Sequence, residues 1–239
     1  MVPEPLTAAH ALKVFSVNGV KDVMARLGEA FHAETGDEVH FTFGTIGALQ
    51  SKMSAGDLPD VLVAMAAAMS RAEEQGLIEK NASVEVGRTG LGLAVQEGAP
   101  LSDVSTSLGL RDTLLKARSL AYTDPQTGAA SGVAFAEMLD DMGIADQVKD
   151  KVVLVSGGPV GEVVARGRAE LGVQQVTELL PVKGITLLGS LPSEHQRVTV
   201  YQAAVALGST KPKLAAAFLK FVTSSNVKSA FAAAGFGRY

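Results

Sequence analysis

Small and polar residues cluster at four points of the sequence where a predicted strand gives way to a predicted helix. The four turns are Ser16-Val17-Asn18-Gly19, Gly44-Thr45-Ile46-Gly47, Gly128-Ala129-Ala130-Ser131-Gly132 and Gly157-Gly158-Pro159-Val160-Gly161. The first N–H groups of a helix have no intrahelical acceptor, and together they carry roughly half a positive charge. Because small residues let an anion approach these N–H groups closely, the chemistry that the turns suggest is anion binding.

The energetics require several of these turns to act together. One helix start contributes about 0.3 to 2 kcal/mol to anion binding, whereas a micromolar site needs roughly 8 kcal/mol. Taken singly, each turn is explained as well by N-capping, for which Asn18, Thr45 and Ser131 are ordinary residues. Four matched turns favour a shared anion site.

Signatures of common enzyme classes are missing. The chain of 239 residues has no cysteine, which excludes thiolate chemistry, disulfides and iron–sulfur clusters within it. The four histidines, His10, His32, His40 and His195, share no metal-ligand spacing. No Walker loop or Gly-x-Ser-x-Gly elbow occurs, and the glycines between Gly87 and Val95 have the wrong spacing for a dinucleotide loop. We therefore expect no metal and no cofactor, and we interpret residues 87–95 as a hinge or crossover strand.

The net charge and the hydropathy of the chain argue against nucleic acid and against the membrane interior as partners. With 21 Lys+Arg and 25 Asp+Glu, the net charge is −4, and no basic run suggests nucleic-acid binding. No window of about 18 apolar residues predicts membrane insertion. The acidic total still permits an anion site, because helix dipoles act at contact distance while net charge is screened beyond ~8 Å.

The elements that must position the four turns follow a β-α-β rhythm. Predicted strands cover residues 12–16, 38–43, 61–64, 119–122, 152–155 and 171–174. Predicted helices start near residue 20 and cover about 46–56, 66–76, 132–142, 160–168, 213–222 and 227–234. This rhythm predicts an α/β fold with mostly parallel sheets flanked by helices, in which the turns lie at the carboxyl edge of the strands.

Several stretches resemble one family across nearly the whole chain. They are Val14–Gly19, Phe43–Leu49, Pro59–Ala64, Glu74–Ile78, Asp124-Pro125 with Ser131-Gly132, Gly157–Val160, Leu171–Gln175 and Ala232–Phe236. In these stretches the chain resembles the type II periplasmic solute-binding proteins, specifically the molybdate-binding component of ABC importers and its relatives.

The resemblance implies a two-lobed periplasmic binding protein type II fold. Residues 1–87 and 194–239 would form lobe one and residues 88–193 lobe two, with crossovers near 87–93 and 190–198. A small anion would bind in the cleft between the lobes, without chemistry. The protein would be a monomer that serves the membrane subunits of an ABC importer.

The resemblance also implies the ligand contacts, which are Asn18, Gly19, Thr45, Ile46, Gly47, Ala130, Ser131, Pro159, Val160, Gln174 and Gln175. Three of them depart from the molybdate-binding pattern: Gly19 and Ile46 stand where serines are usual, and Gln175 stands where a tyrosine is usual. The ligand is therefore either an oxyanion such as molybdate or a small carboxylate. Arg88 and Arg118 are candidates to hold a carboxylate.

Two alternatives stay open. The first is an isomerase on the same fold, acting on an unsaturated di- or tricarboxylate such as aconitate, with Glu162 or Asp124 as the base. The second is an intracellular anion sensor. The residues from Met1 to His10 show no signal-peptide pattern, so we expect a periplasmic location if a leader has been removed and a cytoplasmic one otherwise.

Overall fold

The computed structural model describes residues 11–237 and divides into two compact units. Within these residues, unit one contains 11–87 and Val200–Ala233, and unit two contains Arg88–Thr199 and 234–237. Residues 194–199 and 234–237, which we expected in lobe one, therefore lie with unit two. Two hydrogen bonds account for the second segment: Gly237 N donates to Arg88 O (3.1 Å), and Thr89 Oγ1 donates to Gly235 O (3.4 Å).

The strands and helices alternate through most of the chain. Within residues 11–237 the strands are β1 (Leu12–Val17), β2 (Val39–Gly44), β3 (Val61–Met65), β4 (Val84–Thr89), β5 (Leu91–Gln96), β6 (Leu120–Thr123), β7 (Val152–Val155), β8 (Leu171–Gln175), β9 (Ile185–Ser190) and β10 (Thr199–Val205). The helices are α1 (Lys21–Thr35), α2 (Ile46–Ser54), α3 (Ala66–Glu74), α4 (Ser107–Lys116), α5 (Ala130–Asp141), α6 (Ala145–Val148), α7 (Val160–Ala165), α8 (Val176–Leu179), α9 (Pro212–Val222) and α10 (Lys228–Ala233).

The sheet of unit one has the strand order β2-β1-β3-β10-β4. Strand β1 pairs in parallel with both β2 and β3, whereas β10 runs antiparallel to β3. Leu12, Val14 and Phe15 on β1 are fully buried, as expected for a strand covered on both faces. Helix α1 buries the predicted apolar stripe of Val23, Met24, Leu27 and Phe31.

The sheet of unit two has the strand order β7-β6-β8-β5-β9. Strand β6 pairs in parallel with β7 and β8, and β5 runs antiparallel to β8 and β9. Both sheets are therefore mixed: the β-α-β segments supply the parallel strands, and strands next to the chain crossings run antiparallel. The core of unit two includes Tyr122 and Phe135, whose rings meet edge to face at 5.0 Å.

Three details differ from the predictions. The segment 87–95, expected to be one crossover strand, is divided between β4 and β5. Next to the division, the side-chain amide of Gln196 accepts from the N–H of Leu91 and donates to its carbonyl, which brings that amide close to Gly90. Helix α7 ends at Ala165 rather than near 168, because Gly167 adopts φ 66° and closes a Schellman motif. Helix α5 begins at Ala130, so Ser131 and Gly132 lie in its first turn.

The sequence patterns missed the four-residue helices α6 and α8, and they missed α4, β9 and β10, whose hydropathy follows neither a clear period of 2 nor one of 3.6. Among residues 11–237, none of the helices combines the length and apolar content that a membrane crossing requires.

Candidate functional site

In unit one, strands β1 and β2 end side by side. Val17 and Gly44 are register partners, so the next residues, Asn18 and Thr45, leave the sheet together at its carboxyl edge. Asn18 is exposed and opens a short 3₁₀ turn that includes the half-buried Gly19. Parallel pairing thus places the first two predicted turns next to each other.

The first turn of α2 is open to a ligand. Thr45 is the N-cap, and its Oγ1 accepts a hydrogen bond from Ala48 N at 3.3 Å, so the hydroxyl hydrogen is directed elsewhere. Ile46 and Gly47 are the first two residues of the helix, and their N–H groups have no intrahelical acceptor. A Cβ built on Gly47 meets nothing within 4 Å. An anion oxygen can therefore approach this turn.

In unit two, the first turn of α5 packs directly on the end of β6. Ser131 is 4% exposed, and its Oγ donates to Thr123 Oγ1 at 3.3 Å. A Cβ on Gly132 would overlap the carbonyl oxygen of Thr123, so a glycine is required there. Ala130, the first residue of α5, is half-buried. Thr123 was missed by the sequence interpretation, and its position at the end of a strand that precedes a predicted turn was the available signal.

The start of α7 is already occupied. Val160 is fully buried, and its N–H donates to Gln174 Oε1 at 2.9 Å. The expected backbone contact of Val160 with a ligand would have to compete with this bond. Pro159, the exposed N-cap of α7, has no N–H to offer.

Gln175 also has a partner inside unit two. Its side chain is 2% exposed, and Nε2 donates to Thr199 Oγ1 at 2.9 Å. This bond links the end of β8 to the first residue of β10. The structure therefore places Gln175 at the predicted sheet edge while giving it a structural partner.

The two carboxylates considered as bases are both engaged. Asp124 accepts from Gln126 N (3.0 Å) and from Ser156 Oγ (3.1 Å), so it stabilises the turn after β6. Glu162 forms an ion pair with Arg166 (2.7 Å) on an exposed face of α7. Neither is an unpaired carboxylate of the kind that general base catalysis favours.

A different carboxyl has the more unusual environment. Glu178, on α8 directly after β8, is half-buried, and burial raises the pKa of its carboxyl to about 7. A hydrogen bond from the backbone N–H of Gln175 partly opposes that rise by favouring the charged form. No local pattern pointed to this residue, because α8 has only four residues and no clear periodicity.

The two arginines are placed differently from each other. Arg118 precedes β6 and thus lies at the amino end of that strand, opposite the start of α5. Its Nε pairs with Glu170 Oε2 at 3.0 Å, and its side chain is 88% exposed. Backbone and side-chain hydrogen bonds from Arg118 lower the pKa of Glu170. Arg118 is therefore not positioned to bind a ligand carboxylate. Arg88, in contrast, lies half-buried in β4.

A separate cavity of about 110 Å³ lies in unit one. Its walls are apolar and include Met53, Leu58, Leu62 and Ile78. Leu58 precedes β3, so the cavity lies at the amino end of that strand, away from Asn18 and Thr45. None of the side chains that line it carries a hydrogen-bond donor. Residues 11–237 also contain no group of three His, Cys, Asp or Glu residues that could hold a metal ion.

Comparison with known proteins agrees with this architecture. A family model described as bacterial extracellular solute-binding protein matches residues 12–237. An aconitate isomerase from a Pseudomonas species is 31% identical over 240 residues, covering 97% of this chain and 90% of that protein.

Solved structures share the fold at lower identity. The substrate binding domain of a putative molybdenum ABC transporter from Clostridium difficile aligns with a TM-score of 0.78 at 18% identity, covering 96% of this chain and 99% of that one. The periplasmic molybdate-binding protein of Azotobacter vinelandii aligns with a TM-score of 0.76 at 18% identity, covering 95% and 99%. These likenesses confirm the predicted type II periplasmic binding protein fold. The chain belongs to the bacterial extracellular solute-binding protein family.

Proposed function

We propose that this solute-binding protein takes up a small anion, an oxyanion or a small carboxylate, through the helix starts described above. The observation that carries the proposal is the first turn of α2, where the N–H groups of Ile46 and Gly47 have no intrahelical acceptor, a Cβ on Gly47 would meet nothing, and the Thr45 hydroxyl is adjacent. Asn18 adds an exposed amide at the neighbouring strand end. Unit two carries a group of its own at the start of α5, where the Thr123 hydroxyl accepts from Ser131 Oγ and keeps its own hydrogen for a ligand.

The site that we propose uses dipoles and neutral donors rather than fixed cations. A helix start is worth about 0.3 to 2 kcal/mol to an anion, and a hydrogen bond to a charged group adds roughly 1.5 to 3 kcal/mol. In unit one, the start of α2 with the Thr45 hydroxyl and the Asn18 amide would contribute about 3 to 8 kcal/mol by these values, against the roughly 8 kcal/mol that micromolar binding requires. The net charge of −4 does not oppose this at contact distance.

From the family to which the chain belongs, we further propose that the protein works in the periplasm as a monomer and delivers its ligand to an ABC importer. The family description as extracellular and the transporter-linked structural relatives support this. Fractionation of cells expressing the full native gene tests the location, and size-exclusion chromatography tests the monomer. Retention of the protein in the cytoplasm would contradict the importer role and favour an anion sensor.

A second candidate is an isomerase of unsaturated tricarboxylates, favoured by the 31% identical aconitate isomerase. Converting cis- to trans-aconitate can proceed by removing a proton from the methylene carbon and returning one to the far end of the allylic system, with no change of oxidation state. Such a reaction needs a proton-accepting group near neutral pH. Glu178, whose carboxyl has a pKa of about 7, meets this need, whereas Asp124 and Glu162 are engaged by hydrogen bonds and an ion pair.

One set of measurements tests both candidates. Thermal shift and isothermal titration with citrate, cis-aconitate, trans-aconitate, molybdate and sulfate should show stabilisation by at least one anion. No shift with any of them at millimolar concentration would contradict the binding function. Proton NMR of the protein incubated with cis-aconitate reveals the trans isomer if the chain is an isomerase. Binding of aconitate without conversion would contradict that second candidate.

A further inference from the structure

The side-chain amide of Gln174 has a fixed orientation. A backbone N–H can only donate, so the atom 2.9 Å from Val160 N must be the amide oxygen of Gln174. The residue is 3% exposed, which leaves the side chain little freedom to turn over. The two N–H bonds of Nε2 therefore point away from the start of α7.

These two N–H bonds are available to a ligand. Among residues 11–237 the described hydrogen bond of the Gln174 side chain is the one through Oε1. In the same part of the chain, Thr177 Oγ1 is the side-chain atom that is both fully buried and without a partner. Gln174 Nε2 has no described partner either, but it is not among such fully buried atoms. It therefore retains access to solvent, although most of its residue is buried.

Gln174 lies beside the hydroxyl pair at the start of α5. Tyr122 and Val173 are register partners on β6 and β8, so Thr123 and Gln174 follow them at the same level on adjacent strands. Residues at the same level of parallel neighbouring strands project from the same face of a sheet. The Gln174 amide and the Thr123 hydroxyl, whose oxygen accepts from Ser131 Oγ, thus form one donor group at the carboxyl edge of unit two.

We propose that Gln174 makes the anion site selective for carboxylates over compact tetrahedral oxyanions. The amide oxygen occupies the N–H of Val160, so a ligand oxygen cannot bind there without displacing it. In its place the amide nitrogen presents donors farther from the helix start. These donors suit a carboxylate carried on an extended carbon skeleton, which can reach them while its other carboxylates bind elsewhere. The inference rests on the proposed anion-binding function and narrows its ligand class.

The substitution Gln174→Glu separates the two roles of this side chain. A glutamate still accepts from Val160 N–H, so the start of α7 remains capped, but it replaces the two donors with a negative charge. Gln147→Glu adds the same charge on the surface of unit two, where the described hydrogen bond of the glutamine side chain is to the carbonyl of Gly143. Gln174→Ala is the second variant, which removes the donors and also exposes Val160 N–H.

Isothermal titration of each variant with citrate and with molybdate, alongside melting curves, tests the proposal. The unaltered protein should bind citrate at least tenfold more tightly than molybdate. Gln174→Glu should lose at least tenfold in citrate affinity while keeping its melting temperature, and Gln147→Glu should bind citrate within threefold of the parent. If Gln174→Glu melts at a lower temperature than the parent, Gln174→Ala becomes the test variant. Its ratio of citrate to molybdate affinity should then be lower than the parent's.

Two outcomes would overturn the inference and leave the binding function intact. One is a parent protein that binds molybdate more tightly than citrate. The other is citrate binding by Gln174→Glu within threefold of the parent or, where Gln174→Ala decides, a ratio of citrate to molybdate affinity that is not lower than the parent's. Failure of the parent to bind any of the tested anions would instead contradict the proposed function itself.

Discussion

The carboxylate of Glu178 accepts a hydrogen bond from the backbone N–H of Gln175, three residues earlier at the start of α8. This is one half of a capping box, in which the third helical residue reaches back to the N-cap. Helix α8 packs on β5, β8 and α7. Strands β5 and β8 carry no charged residue, and on α7 the one charged residue, Glu162, is paired with Arg166. Burial therefore dominates the pKa of Glu178.

A pH-dependent loss of stability follows from this environment. The pKa of Glu178 is about 7 in the folded protein against 4.5 for an ordinary glutamate. Between these values the unfolded chain releases its proton while the folded protein keeps it, so stability falls as the pH rises from about 4.5 to 7. A glutamine at this position mimics the neutral form, so Glu178→Gln should remove this fall, which amounts to roughly 1 to 3 kcal/mol.

Urea unfolding at pH 5, 6, 7 and 8 measures the effect. Glu178→Gln should match the parent most closely at pH 5 and exceed its free energy of unfolding at pH 8. Glu137→Gln, which removes an exposed carboxylate from α5, serves as the control. Parallel curves for the parent and Glu178→Gln across this range would show that folding does not raise the pKa of this carboxyl.

The N-cap of α2 should matter for both stability and binding. Thr45→Ala removes the bond to Ala48 N, with an expected cost of about 1 kcal/mol, and also deletes a proposed ligand donor. Thr106 caps α4 through the same kind of bond, to Gly109 N at 3.1 Å, and is not among the proposed ligand residues. Thr106→Ala should cost similar stability with unchanged anion affinity, whereas Thr45→Ala should weaken affinity roughly tenfold. Equal affinities in the two variants, measured by calorimetry, would remove Thr45 from the site.

Two glycines at helix starts should respond in opposite ways to the same substitution. Gly132→Ala forces a methyl group onto the carbonyl oxygen of Thr123, and we expect a loss of more than about 2 kcal/mol as α5 is displaced from β6. Gly47→Ala places its methyl in open space, so stability should be unchanged or raised by up to about 1 kcal/mol. Thermal and urea unfolding of both variants decides this. A Gly132→Ala protein as stable as the parent would mean that α5 can shift without cost.

Arg118 should be dispensable for binding. Arg118→Ala breaks an exposed ion pair with Glu170 at the amino end of β6, with an expected loss of at most about 1 kcal/mol. Citrate affinity should stay within twofold of the parent, because the proposed donors lie at the carboxyl ends of the strands. A large drop in affinity in calorimetry would return Arg118 to the list of ligand residues.

Local pattern was enough to predict much of the fold. The stripe of apolar residues in α1 follows a period of 3.6, and buried runs such as Val61–Ala64 mark strands of a covered sheet. Strand β10 could not be recognised in this way, because its antiparallel place beside β3 depends on a chain crossing more than a hundred residues later. The candidate site was predictable to the same degree: its turns were found, but Thr123 and Glu178 were not.

The sequence by itself determined that small and polar residues follow the strands and begin the helices, because capping and strand propensity are local properties. Only the tertiary structure decided which helix starts can receive a ligand. The N–H of Val160 is occupied because β8 lies beside β6 and brings Gln174 to it from 14 residues away, while no such neighbour covers Gly47. Local sequence does not reveal this difference between the two helix starts, because the difference arises from the order of strands in the sheet.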